Sequence, residues 1–558
     1  MSEELGTDTA LGAVFARALD ARDPRFDGVF FVGITSTGIY CRSICPARVS
    51  YPDRRRFFPS AAAAERAGYR PCLRCRPELA PGRAPCDAVS RLARAAASRI
   101  AAGALNGHGV AELAGELGVS ERHLRRVLER EMGVSPIELA LTCRLLFARR
   151  LLANTRLSVT RIAYASGFQS LRRFNAAFRE RYRSSPSELR RPSPRADVGR
   201  GDFVRLSLAY RPPFDWLAML HVLQRDAVRG VDAVDGDRYM SVMRIDGHVG
   251  AIVARDAACD VRAAGPARHY VIVDVTPSLL PRLMPVLARV RQLFDLDAEP
   301  TLIDAHLAQS GLDRLVDAHP GVRVPGALDA FDVALRVLLR RASRTQNAYE
   351  SLAWRITAAL GTAVDAGVPE LHHLAPEPAR VAEASVEGLT ALGLRERWAA
   401  TVVELARAVV AGRLRLEAGA DPGALARDLS VIGVDEASIA HILARTAAWP
   451  DSFSAHDLTS SATEWRSLAG RAERWRPWRA YAAMHLRLHA AAPAPAWSMA
   501  LQQADQGTVV QLLPIHRRRG DDDPPHPVLE EQPALRGARQ RFRREMERRP
   551  CAAETLLP

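Results

Sequence analysis

Four of the eight cysteines in this 558-residue chain stand at positions 41, 45, 72 and 75, a C-x3-C pair followed by a C-x2-C pair. Cysteines at that spacing form knuckles that aim both sulfurs at one point, and four thiolates suit a single tetrahedral zinc ion. The competing assignment is two disulfides or buried inert thiols. Eight cysteines in so long a chain do not make a secreted disulfide scaffold, so zinc is the expected cofactor, held by Cys41, Cys45, Cys72 and Cys75. Cys86, Cys143, Cys259 and Cys551 are unpaired by sequence and receive no role.

Around these cysteines the chain is strongly basic. A formal net charge of +14 points to a polyanion, with double-stranded DNA the first candidate. The chain contains no lysine, so every fixed side-chain cation is arginine, and alanine is abundant. Such a bias follows from a GC-rich coding background, so the position of each arginine carries more meaning than the total. The N-terminus is acidic and polar, and no apolar run reaches about 18 residues. A cytoplasmic, nucleoid-associated protein without a membrane span is expected. At this length about three to five domains are expected.

The stretches "GVFFVGITSTGIYCRSICPAR" and "RRFFPSAAAAERAGYRPCLRCRPE" resemble the N-terminal zinc domain of the Ada DNA-alkylation response family over roughly residues 8–80. The resemblance implies that Cys41 takes a methyl group from a methylated DNA phosphate. The chemistry is coherent, because a metal-held thiol stays deprotonated and the thiolate is the nucleophile. Four thiolates on Zn²⁺ sum to −2, and methylating one leaves −1. Relief of that repulsion lets Arg42, Arg48 and the arginines at 54–56 dominate toward DNA.

From Val110 the chain reads "VAELAGELGVSERHLRRVLEREMGVSP", and fifty residues later "VTRIAYASGFQSLRRFNAAFRERYRSSP". Each copy has an apolar helix, a glycine (Gly118, Gly167), a capping serine (Ser120, Ser170) and an arginine-rich amphipathic helix. That is helix-turn-helix grammar, with Leu124, Val127, Leu128, Phe174 and Phe178 facing inward. The outward side then carries Arg122, His123, Arg125 and Arg126 in one copy, and Arg172, Arg173 and Asn175 in the other. These types read base edges and clamp phosphates. A plain helical bundle with a basic face is the competing assignment. Two copies at a constant offset resemble the AraC-type activator domain over about 86–190, which implies RNA polymerase as a further partner. "RRPSPR" at 190–195 is expected to be a linker.

The second half resembles AlkA-type 3-methyladenine DNA glycosylases, most specifically in "YRPPFDW", "GVDAVDGDRY", "HPGVRVPGALDAFDVALRVLL" and "ERWRPWRAYAAMHL". The resemblance implies an α+β domain over 202–310 and an all-α helix-hairpin-helix domain over 311–490. The family's catalytic aspartate follows a phenylalanine by four residues; here that is Asp457 in "DSFSAHDLTS". Excision of a cationic alkylated purine needs the base flipped out and the oxocarbenium-like sugar stabilised by a carboxylate. Trp475 and Trp478 are the candidates for a base pocket, against the alternative that they are core. Glycosylases that also nick DNA use a lysine Schiff base; a chain without lysine is expected to be monofunctional.

Three departures from the family pattern stand out. The hairpin L-P-G-I-G-x-W reads "VIGVDEASIA", which keeps Gly433 for a phosphate contact but places Asp435 at the second glycine and Ala437 at the tryptophan. The wedge stretch G-Q-x-V-S reads "RRASR", Arg340 to Arg344, and "HDLTS" departs from the usual apolar continuation. A carboxylate in the hairpin should repel a phosphate. The segment 491–558 is rich in Pro, Arg and Asp and is expected to be disordered. No P-C-H-R-V motif occurs, so O6-methylguanine methyltransferase activity is not expected.

The expected architecture is therefore a multidomain chain. A small α+β zinc domain (1–80) is followed by an all-α double helix-turn-helix (86–190), an α+β AlkA N-terminal-like domain (202–310) and an all-α glycosylase domain (311–490). The expected function is a methylphosphotriester-sensing activator fused to a 3-methyladenine glycosylase. The competing reading is a damage-responsive transcription factor whose glycosylase half has decayed.

Overall fold

Strands β1 (Phe31–Ile34), β2 (Ile39–Arg42), β3 (Arg55–Phe58) and β4 (Arg70–Pro71) form the first sheet, in the order β3-β1-β2-β4. The β1–β2 hairpin is antiparallel and sets Val32 opposite Cys41, while β4 runs parallel to β2 and brings the second cysteine pair beside the first. Behind the sulfurs lies an aromatic wall, with Phe15 of helix Ala10–Asp20 stacked on Phe30 at 4.3 Å and Phe57 edge-on to Phe30 at 5.5 Å. This computed structural model describes residues 10–47, 50–82, 91–190, 203–259, 269–417, 419–458 and 462–491. Arg48, Cys86, Cys551, residues 191–195 of the expected linker and nearly all of the C-terminal segment lie outside the described residues.

The repeat folds as two helix-turn-helix units joined by the 19-residue helix Pro136–Asn154. Helices Val110–Glu116 and Glu121–Met132 make the first unit, and Val159–Ala165 and Leu171–Tyr182 the second. Gly118 and Gly167 adopt φ of +69° and +81°, the left-handed turn that a glycine makes without a Cβ penalty. Ser120 and Ser170 then cap the second helix of each unit through the N–H groups of His123 and Arg173. Ser135 and Ser185 each form a reciprocal capping box, with Glu138 and Glu188.

A five-stranded antiparallel sheet follows, in the order β5-β9-β8-β7-β6. Its strands are β5 (Val204–Ala209), β6 (Asp232–Asp235), β7 (Arg238–Ile245), β8 (His248–Asp256) and β9 (Tyr270–Val275). Helices Trp216–Asp226 and Leu283–Leu293 cover its apolar face. The remaining described chain is mainly helical. Helices Ala330–Ala342, Gln346–Leu360, Glu396–Val410, Pro422–Val431 and Glu436–Thr446 surround one core, and a two-stranded ribbon pairs β10 (Thr362–Ala363) with β11 (His373–Leu374).

The apolar cores cross the domain boundaries. Phe31, Tyr40 and Phe58 of the zinc domain pack with Leu113, Leu124 and Leu128 of the first helix-turn-helix. Phe174 and Phe178 of the second unit pack in one cluster with Leu206, Leu208 and Val273 of the five-stranded sheet. Buried arginines complete the junctions. Arg211, 1% exposed, donates to the carbonyls of Asp27, Gly82 and Asp297 at 2.8–2.9 Å and lies 3.2 Å from Glu299. No helix among the described residues is long and apolar enough to cross a membrane.

Candidate metal centre and nucleic-acid interface

Cys41, Cys45, Cys72 and Cys75 converge. All four are buried free thiols, and their sulfurs lie within 4.8 Å of one another. A tetrahedron with Zn–S bonds of about 2.3 Å has edges of about 3.8 Å, so the cluster fits zinc after a small contraction. Two backbone donors already face sulfur: Arg42 N–H to Cys75 Sγ and Arg74 N–H to Cys72 Sγ, both 3.4 Å. Such donors stabilise thiolate charge and orient the ligands.

The arginines around the cluster divide by burial. Arg42 is 7% exposed; its Nε bonds Asp27 at 2.8 Å and its Nη1 bonds the Cys75 carbonyl at 3.1 Å. It braces the ligand set from behind, which corrects its expected role as a DNA contact. Arg55 is also buried, donating to the Ser50 carbonyl and pairing with Asp20 at 3.0 Å. Arg54 remains exposed beside Tyr51. Sequence reading missed Arg70 and Arg74. Both are exposed and line a groove into which Cys41, Cys45 and Cys72 open. The parallel pairing of Ile39 with Arg70 places that arginine there, and no local pattern announces it.

The two recognition helices match the expectation from the repeat. Leu124, Val127, Leu128, Phe174 and Phe178 are buried, while Arg122, Arg125, Arg126, Arg172 and Arg173 are exposed and His123 and Asn175 half-buried. Arg125 is held by Glu121 at 2.8 Å and Arg126 by the His123 ring at 3.2 Å.

In the helical half, Pro422–Val431 and Glu436–Thr446 form a helix-hairpin-helix around Gly433, whose φ is +91°. A Cβ there would meet only Thr401 Oγ1, at 3.8 Å, so the hairpin face of Gly433 is open. Asp435 caps the second helix through the Ser438 N–H at 3.2 Å. Its carboxylate also lies 3.4 Å from Arg341 Nε. Two departures from the family pattern thus meet in space, since the "RRASR" stretch supplies the cation that balances the hairpin aspartate.

Asp457 ends the short turn Ala455–Asp457, and its carboxylate lies outside the described residues. Trp475 and Trp478 are 2% and 6% exposed and belong to the core. Trp475 packs edge-on against Phe453 at 5.8 Å and so braces the segment that carries Asp457. Both tryptophans stand as core residues in this structure, the alternative named for them. The cavity beside Phe453 and Ser454, lined also by His441, Met484 and Arg487, is about 20 Å³, room for about one water.

A zinc knuckle, paired DNA-reading helices and a helix-hairpin-helix half define a DNA-directed regulatory and repair protein of several domains. Three families match: "Metal binding domain of Ada" at residues 15–78, "Helix-turn-helix domain" at 113–192 and "AlkA N-terminal domain" at 205–329. The chain is 33% identical to a probable bifunctional transcriptional activator/DNA repair enzyme AlkA of Mycobacterium tuberculosis, over 84% of this chain and 95% of the relative. It belongs to that family of bifunctional AlkA proteins. It is also 28% identical to DNA-3-methyladenine glycosylase 2 of Escherichia coli, over 50% of this chain and 95% of the glycosylase. A 60-residue stretch is 47% identical to the bifunctional activator/repair enzyme Ada of Escherichia coli, covering 11% of this chain and 17% of Ada.

Proposed function

We propose that the chain senses methylated phosphate in DNA through Cys41, activates transcription through its two helix-turn-helix units, and excises alkylated purines through its helical half. The observation that carries the first part is the buried four-sulfur cluster opening into an arginine-edged groove. Zinc supplies the charge that keeps the sulfurs as thiolates. The chain's own residues do the rest. Cys41 Sγ attacks the methyl carbon of a phosphotriester, the S–C bond forms, the C–O bond breaks, and the electron pair stays on the phosphate oxygen as a diester anion. The acceptor is consumed once. Recruitment of RNA polymerase completes this reading.

The glycosylase part is supported by likeness over 84% of the chain to a named activator/repair enzyme, which favours a working enzyme over a decayed DNA-binding platform. Asp457 is assigned the carboxylate that stabilises the developing sugar cation and orients water. The cavity beside Phe453 and Ser454, at about 20 Å³, is too small to hold a purine. The test is release of 3-methyladenine from methylated duplex by the zinc-loaded chain, with loss in Asp457→Asn. Mass analysis of the Cys41 peptide after the same incubation tests methyl uptake. No base release by the wild-type chain overturns the glycosylase assignment, and an unmodified Cys41 overturns the acceptor assignment.

A further inference from the structure

Two contacts of opposite character tie the activator half to the repair half. Buried Arg211 makes the first. The second is open to water and lies on helix Arg91–Ala101, which precedes the first helix-turn-helix unit. One face of this helix, with Ala93, Ala96 and Ile100, packs in the core shared with Phe31, Tyr40 and Phe58 of the zinc domain. The opposite face carries Arg91, Ala95 and Arg99, each four residues from the next and so on one stripe.

That stripe meets, residue for residue, the stretch of chain that leads into the helix-hairpin-helix. Arg99 Nη1 donates to Glu417 at 2.8 Å, and Arg91 Nη2 donates to Asp421 at 3.4 Å. Between them, a Cβ at Gly419 would stand 2.8 Å from Ala95 Cβ, an approach that glycine alone allows. Four residues of helix rise about 6 Å, and two residues of chain span at most about 7 Å, so the two spacings agree. Leu414, Leu416 and Ala420 turn the other way, into the helical core. Arg415 extends the contact by donating to the Glu116 carbonyl at 3.2 Å, and the Glu116 carboxylate accepts from Arg99 at 2.5 Å.

Asp421 has a second task. It caps helix Pro422–Val431, the first of the hairpin pair, by accepting from the Ala424 N–H at 2.8 Å. Helix Arg91–Ala101 therefore touches the core of the zinc domain on one side and the start of the hairpin pair on the other. Its ion pairs are of a kind that can let go. The side chains of Arg91 and Asp421 are 48% and 59% exposed, and those of Arg99 and Glu417 24% and 36%. Exposed pairs hold weakly one at a time and are screened by salt. A phosphate, like a carboxylate, is an anion that takes an arginine in two-pronged geometry, so a DNA backbone competes directly for Arg91, Arg99 and Arg415.

We propose that this zipper is a latch released by DNA. In the free chain it holds the entrance of the helix-hairpin-helix against the activator, and a duplex that draws the three arginines off their protein partners lets that entrance move. The same arginines answer either to the DNA backbone or to the hairpin, which couples the two halves without a change in either core. The inference goes beyond methyl transfer and base excision, and its test needs neither.

The test is hydrogen exchange in the full zinc-loaded chain, read by mass on peptides covering 413–424 and, as a reference, 205–214 around Arg211. Exchange in 413–424 is expected to speed up on passing from low to high salt, and also at constant low salt when a short unmodified duplex is added. Arg99→Ala removes two pairs and is expected to exchange there roughly fivefold faster at low salt, the worth of two exposed pairs, with little further gain from duplex. Glu417→Gln should shift the same way by less, and the reference peptide should keep its rate throughout. Unchanged exchange of 413–424 in the wild-type chain on adding duplex overturns the proposal, whatever salt does. Slower exchange there, the mark of a segment that DNA covers, overturns it too. So does a wild-type rate in both variants, or acceleration of the two peptides together, which marks general loosening.

Discussion

Replacing Arg341 by alanine tests whether the altered hairpin still holds DNA. Arg341 and Asp435 face each other at 3.4 Å, and their side chains are 46% and 24% exposed, so the pair is near neutral at the hairpin surface. Taking a phosphate at Gly433 to stand on the order of 6 Å from either charge sets the scale of the effect. With an effective dielectric of about 40, between the surface-pair and bulk-water values, one unit charge at that distance contributes about 1.4 kcal/mol, or tenfold. Arg341→Ala leaves Asp435 uncompensated and should weaken binding to alkylated duplex about tenfold. Adding Asp435→Asn should restore most of the loss. The assay is fluorescence anisotropy at two salt concentrations with Cys41 unmethylated, and the effect should shrink as salt rises. Equal affinity of Arg341→Ala and the wild-type chain at low salt would refute compensation. Failure of the double variant to recover would show that Arg341 acts apart from Asp435.

Two further outcomes follow from buried charge. Burial outweighs the partners of Glu65 and pushes its pKa up from 4.5 to about 7, so between those values the folded chain holds a proton that the unfolded chain lacks. Stability should therefore fall by about 2–3 kcal/mol as pH rises through that window. Glu65→Gln should lack that part of the slope in urea titrations; an identical slope in both proteins contradicts it. Arg211→Met removes a guanidinium that is bound to three carbonyls and lies 3.2 Å from the buried Glu299. A loss of about 3–5 kcal/mol is expected, read by calorimetry as separation of one transition into two; an unchanged thermogram argues against it.

Local patterns in the sequence carried the metal site and the repeat. Cysteine spacing brings the sulfurs together within two short hairpins, and the serine caps and turn glycines act within a few residues of themselves. Gly433 and the hairpin were legible through the resemblance to the glycosylase hairpin pattern. What escaped depends on pairs far apart in the chain. Nothing near Arg42 reveals that Asp27, fifteen residues earlier, draws it inward. Trp475 and Trp478 look like binding aromatics in "ERWRPWRAY", but helices from residues 300–318 cover them. Asp435 read as a defect because Arg341, its partner, lies almost a hundred residues away.

The reach of Arg211 gives the two halves a non-covalent join beside the covalent one. Its guanidinium grips Asp27 and Gly82 from one side and Asp297 from the other, beside a core that also spans the join. Two pieces made by severing the chain between residues 190 and 203 would each display half of that seam. Mixed, they should reassemble as a non-covalent heterodimer, and the protein would behave as a split reporter of its own folding.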